Sequence, residues 1–155
     1  MDRVDALKLI IRPSLRVLPP NMRSIEAEAM LLAIGGQESG WRHREQIRGP
    51  ARGWWQFERN GVIGVQNHRF TKEPAQQITK RLNYKPGEVH DAIKHNDMLA
   101  TCFARLLLWT VPESLPKQTE IDKAWEQYKW AWRPGKPHPE WWEENWKAAW
   151  STIFS

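Results

Sequence analysis

What this 155-residue chain has little of narrows its options first. It holds one cysteine, Cys102, so no internal disulfide can form, and its place in the apolar run from Met98 to Trp109 marks it as a small core residue. The fold therefore does not lean on an oxidising compartment. No stretch approaches the roughly 20 apolar residues needed to span a bilayer. The opening segment, MDRVDALKLIIRPSLRVLPP, lacks the continuous apolar core and small-residue cleavage site of a secretory signal, so the chain is expected to be made in the cytoplasm. The glycines in Asn60-Gly61-Val62-Ile63-Gly64-Val65 come with neither a P-loop Lys-Ser/Thr nor a dinucleotide pattern; they point to tight backbone rather than a phosphate cradle. Clear strands, internal repeats, low-complexity segments and linkers are also missing. The length suits one domain over 1–155, enough for a core and too little for two ordinary domains.

What is present is charge and tryptophan. With 23 basic against 18 acidic residues the net charge is +5 and the isoelectric point near 9.6. That balance favours an anionic partner, and nucleic acid, anionic lipid and the acidic bacterial wall all qualify. The apolar spacing predicts a mainly α fold, with room for a small β-hairpin around residues 40–66. Helices are expected over 2–11, ended by Pro13; over 22–38; briefly within 54–68; over 74–81 behind Pro74; over 88–110 as the longest; over 121–131, capped by Thr119 and closed by Arg133-Pro134-Gly135; and from Pro139 onward. Gly35-Gly36 is costly inside a helix, which implies either a close neighbour or a helix already ending. Eleven tryptophans need an explanation, and Trp142, Trp146 and Trp150 fall at i, i+4, i+8 on one face. That stripe reads as core, as a sugar-stacking wall or as a contact with a membrane surface. His90, Asp91 and His95 invite a metal reading, but no third ligand follows at persuasive spacing and capping or surface roles are preferred.

One stretch looks chemical: residues 33–58, AIGGQESGWRHREQIRGPARGWWQFE. A helix ends near Glu38, a loop with Arg42, Arg44, Arg48 and Arg52 follows, and Gly53-Trp54-Trp55-Gln56-Phe57 returns with rings and an amide. A carboxyl at a helix C-terminus among apolar rings has its pKa raised by the dipole and by desolvation. It then stays protonated near neutral pH, the state that can protonate a glycosidic oxygen. The loop arginines read either as a solvated charged loop or as holders of wall-peptide carboxylates or phosphates.

Glu38-Ser39-Gly40-Trp41 followed by Gly53-x-x-Gln56, with 56 − 38 = 18 positions from acid to amide, resembles the ES and GLMQ motifs of the lytic transglycosylase and goose-type lysozyme families. The resemblance implies a lysozyme-like domain that cuts the β-1,4 bond between N-acetylmuramic acid and N-acetylglucosamine in peptidoglycan, using no cofactor and no metal. It makes Glu38 the catalytic acid/base, Ser39 its partner in the ES pair, and Gln56 with the Trp54 and Trp55 rings the lining of the sugar site. Where the families have Leu-Met this chain has Trp54-Trp55, and where they have a Ser nine positions before the amide it has Ile47. Tyr128 resembles the Tyr of the families' AYNAG segment, which bonds the catalytic carboxyl, although Lys129 stands where an Asn is usual; a plain helix-surface tyrosine is the alternative.

Glu58 occupies the place where goose-type lysozymes carry an Asp that helps position water, which keeps hydrolysis open beside transglycosylation; a surface ion pair with Arg59 or a loop arginine is the plain alternative. Glu45 is a further second carboxylate. The expected partner is the glycan strand of the wall, met by a monomer that reaches it after release from a host cell or from within a virion. Two other classes compete: a nucleic-acid-binding module, which has charge and aromatics but no recognition motif, and a wall-binding or virion protein without catalysis.

Overall fold

The N-terminal helix runs through Pro13 instead of stopping before it. In the computed structural model, which describes residues 1–45 and 49–155, α1 (Arg3–Asp5) leads into a π-helical stretch (Ala6–Ile11) and on into α2 (Arg12–Leu15). A proline ring collides with the carbonyl four residues behind it in an α-helix. Here the winding ahead of it is wider, with the Arg12 N–H reaching the Leu7 carbonyl five residues back, and the chain stays helical.

Ser24 begins the next element by accepting the Ala27 N–H at 3.0 Å, and α3 (Ile25–Ser39) runs to Gly40, which closes it in the left-handed conformation at φ 61°. The sequence of α3, IEAEAMLLAIGGQES, is small or apolar on nearly every side after its first turn, and all residues from Ala29 to Gln37 are buried. Such a helix belongs in the middle of a protein.

The remaining helices are α4 (Arg59–Asn67), α5 (Lys72–Arg81), α6 (Val89–Ile93), α7 (Asp97–Trp109), α8 (Ile121–Trp132) and α9 (Pro139–Phe154); α9 and α7 pack on α3, and α4, α5, α6 and α8 pack on α7. The architecture is mainly α. Of the small hairpin only two isolated bridges exist among the described residues, Arg52 pairing with Glu45 and with Phe57.

Three local expectations are corrected. The helix expected over 88–110 is two helices, because the Asn96 side chain accepts the Leu99 N–H at 3.0 Å and starts α7 afresh. Thr119 does not cap α8; Glu120 stands at the N-cap, and its carboxylate accepts the Lys117 N–H at 2.9 Å. Pro74 does not open α5 but stands in its first turn, two residues after Lys72, whereas the short helix expected within 54–68 is present as α4, with Gly61 and Gly64 in it.

α3 packs most extensively against α9, where Gly36 permits the approach, while Gly35 makes room for the Trp41 ring. A Cβ on Gly36 would stand 2.4 Å from Asn145 Oδ1 of α9, and one on Gly35 would stand 2.2 Å from the Trp41 ring. Along α9 the stripe Trp142, Trp146, Trp150 faces inward, with successive ring centroids 5.9 Å apart. Trp142 and Trp146 donate their indole N–H groups to the carbonyls of Ile121 (3.2 Å) and Gln118 (2.9 Å). Of the three readings of the stripe the core reading describes it; these rings are not on a surface that lipid or sugar could meet. No helix among the described residues is long and apolar enough to cross a membrane.

Candidate active site

The last turn of α3 carries Glu38 to the floor of an open cleft of about 1110 Å³. One wall is built from Gln56, Phe57 and Glu58 with Gly61 and Gly64 of α4. The other comes from Tyr128, Trp130 and Trp132 of α8, the turn at 133–138, and Trp141 of α9. Gly64 has nothing within 4 Å of where a side chain would be, so bare α4 backbone is presented to the cleft.

Glu38 is largely shielded, and burial pushes its pKa up to about 7. Two neighbours modify that effect. The Tyr128 hydroxyl donates to Glu38 Oε2, which lowers the pKa, and the nearby charge of Glu58 raises it. Burial and the Glu38 charge push the Tyr128 phenol far above its ordinary range, so it remains a proton donor in the pair. The ring is held by Trp142 stacked against it at 5.3 Å and by Trp125 at 5.4 Å. No basic side chain pairs with Glu38 among the described residues.

Gln56 stands at φ 51°, in the left-handed region, one residue before Phe57 pairs back to Arg52 with bonds of 2.7 and 2.8 Å. Its side-chain amide donates to the Gly53 carbonyl at 2.9 Å, which leaves the amide oxygen as the acceptor offered to the cleft. Gly53 is required there. It adopts φ 79°, and a Cβ would come within 2.7 Å of Ile93. Glu58 is exposed on the rim at the N-cap of α4 and makes no ion pair among the described residues, so the surface pair with Arg59 does not form.

Structure and sequence reading part over three residues. Trp54 and Trp55 do not line the cleft. Both are buried, packed on Trp41 with centroids 5.7 and 5.5 Å away, and Trp55 donates its indole N–H to the Leu31 carbonyl at 2.9 Å. The bend that turns Gln56 outward turns the two preceding rings into the core. Ser39 is likewise buried, donating to the Gly35 carbonyl (2.9 Å) and accepting the Trp41 N–H (3.2 Å); it shapes the end of α3 and faces away from the cleft.

Two arginines of the loop, Arg44 and Arg52, are engaged with the protein itself, whereas Arg42 is exposed. Arg44 makes a two-pronged pair with Asp97 at 2.9 and 3.1 Å and lies 4.4 Å over the Trp54 ring, and Arg52 donates to the Gly49 carbonyl. Ile47 and Arg48 lie outside the described residues. Glu45 is drawn off to Lys94 at 2.9 Å, which together with Arg52 holds its carboxyl below the usual range. His90 is buried with Nε2 2.9 Å from the Phe57 carbonyl, whereas Asp91 and His95 are exposed, so the three do not converge. Cys102 is buried beside the Ser14 carbonyl, and its thiol is pushed up to about 12 by burial.

Trp130, Trp132 and Trp141 were not singled out by the sequence reading. Trp141 lies beside the α9 stripe rather than on it and is about half exposed, stacked on the His138 ring at 3.8 Å. Trp132 ties the walls together by donating to the Trp55 carbonyl at 2.9 Å. A tryptophan out of phase with its own helix's apolar stripe was the available signal. Compared with family models, curated proteins and solved structures, the chain matches none.

Proposed function

We propose that this chain is a muramidase that cleaves the β-1,4 bond between N-acetylmuramic acid and N-acetylglucosamine of peptidoglycan, with Glu38 as its acid/base. The observation that carries the reading is the Glu38–Tyr128 pair at the floor of the cleft: one shielded carboxyl, with a pKa near 7 and no basic partner among the described residues.

A carboxyl tuned to about 7 is divided between its two forms at neutral pH, which suits a group that must give a proton and then take one. In the first step Glu38 protonates the leaving glycosidic oxygen as the bond to the muramic acid carbon breaks. The phenol of Tyr128, donating to Oε2, stabilises the carboxylate that results and leaves Oε1 to face the substrate. In the second step the carboxylate accepts a proton from the incoming nucleophile. If that nucleophile is the sugar's own C6 hydroxyl, the product is a 1,6-anhydro sugar and one carboxylate suffices. If it is water, the product is a reducing sugar, and Glu58, exposed on the same cleft, orients it on this reading. The Gln56 oxygen accepts from a sugar hydroxyl or acetamido N–H, and Trp130 and Trp141 offer half-exposed rings on which a pyranose can lie. The basic surface of the protein favours the acidic wall. On this reading its setting is host-cell lysis.

The test is mass spectrometry of the fragments released from purified sacculi by the wild type and by Glu38→Gln. Muropeptides from the wild type and essentially none from the variant support the proposal. Equal release by both removes Glu38 as the acid, and no release by either removes the activity. Anhydro or reducing ends then assign the second step.

A further inference from the structure

A second cavity, of about 830 Å³, lies between the start of α3, the α4–α5 turn, the end of α7 and the segment after it. It adjoins the cleft, since His68, Thr110 and Trp130 line both. Its inner wall holds Arg105, which is only 3% exposed. The Nε–H of Arg105 donates to the Met22 carbonyl at 2.6 Å, and its guanidinium lies 5.2 Å over the Trp109 ring. Nη1 is buried with no acceptor among the described residues, and no carboxylate pairs with the group. A buried guanidinium without a counter-charge is costly unless something brings an anion to it. Burial alone draws its pKa down to about 10.

The rest of the lining describes that anion. Phe70 and Trp130 are about half exposed at the mouth, and Arg69 lies 4.4 Å over the Phe70 ring. Arg69 and Lys117 supply positive charge at the rim, but Glu26, Glu113 and Glu120 stand among them. Such a rim suits a ligand that carries both signs and presents one carboxylate to the single deep cation; a polyanion would meet three carboxylates. The volume is that of a short peptide.

We propose that this pocket receives the carboxylate-bearing peptide that substitutes the wall glycan, with Arg105 as its anchor, while the sugar strand lies in the adjoining cleft. The proposal rests on the muramidase reading for its substrate, and the pocket has its own test.

Cleavage rates are measured on intact strands and on strands stripped of peptide by an amidase, for the wild type, Arg105→Gln, and the double reversal Arg69→Glu/Lys117→Glu. Because Arg105 also holds the Met22 carbonyl, the rim reversal, which alters only exposed side chains, decides the matter if Arg105→Gln fails to fold. The expected result is a preference of about tenfold or more in kcat/KM for intact strands, as for loss of one charge-assisted contact, which falls toward one in the variants. Equal rates on the two substrates in the wild type, or a preference that survives in every folded variant, would overturn it.

Titration calorimetry with the amidase-released peptide alone keeps the two ideas apart. If the wild type cleaves neither glycan, the muramidase reading fails. Peptide binding that is lost on rim reversal still supports the pocket, and absence of binding refutes it.

Discussion

At its first turn α3 carries Glu26 and Glu28 where the positive end of the helix dipole welcomes them, and Glu28 pairs with Arg12 at 3.0 Å. At its last turn it carries Glu38, where the dipole is unfavourable, water is largely excluded and the one direct partner is a phenol. The side chain is the same in all three places. Glu28 is a structural ion, and Glu38 is an acid held near its point of half-ionisation. The comparison teaches that chemistry here comes from position along one helix, fifteen residues long, and not from an unusual residue.

The comparison is broken most completely by removing the carboxyl from one end only. Glu38→Gln should lower the rate of glycan cleavage by about three orders of magnitude or more while the protein stays folded, whereas Glu28→Gln should leave the rate alone; turnover assays on sacculi with circular dichroism of both variants measure this.

A stability measurement sharpens it. The unfolded carboxyl titrates near 4.5 and the folded one near 7, so between those values the folded chain holds a proton that the unfolded chain has lost. Stability contributed by the protonated group is fully present below about 4.5 and is lost as pH rises through about 7. The 2.5-unit gap at 1.36 kcal/mol per unit, discounted for the water that reaches the cleft, gives roughly 2–3 kcal/mol. Denaturant unfolding of wild type against Glu38→Gln across that window should show the difference open with rising pH, and a flat difference would contradict the burial of the acid.

Tyr128→Phe should cost about ten- to a hundredfold in kcat and move the alkaline limb of the pH–rate profile upward, because the lost hydrogen bond favoured the ionised form. A limb that moved down would mean that the phenol serves another group. The smallest effect belongs to the far end: Ser24→Ala should remove about 1 kcal/mol of unfolding free energy, read from a denaturation midpoint.

Much of this was legible before any coordinates, for physical reasons that differ by residue. Glu38 and Gln56 could be placed because a helix end, a glycine turn and a fixed spacing are local features, and the inward Trp142, Trp146, Trp150 stripe follows from 3.6-residue winding. The break at Asn96 was missed because the apolar face continues across it, and only the cap distinguishes one helix from two. Trp54 and Trp55 were misassigned because their direction depends on two left-handed residues, Gly53 and Gln56, on either side of them. The far wall of the cleft was invisible. Trp130, Trp132 and Trp141 lie 92, 94 and 103 positions from Glu38 and come to its cleft only through packing.

The chain of hydrogen bonds beside the acid carries a consequence for when the site comes into being. Gln37, next to Glu38, accepts from Asn145 at 2.9 Å and donates to the His138 carbonyl at 2.8 Å, and Asn145 in turn accepts from Arg3 at 3.1 Å. These links span 108, 101 and 142 positions. Loops of that length close late, after local helices have formed. A nascent chain that has emerged from the ribosome only as far as α8 already owns its glutamate and its tyrosine, yet the brace that aims them is still to be synthesised. The Glu38–Tyr128 pair is thus complete in sequence before the residues that hold its helix in place exist.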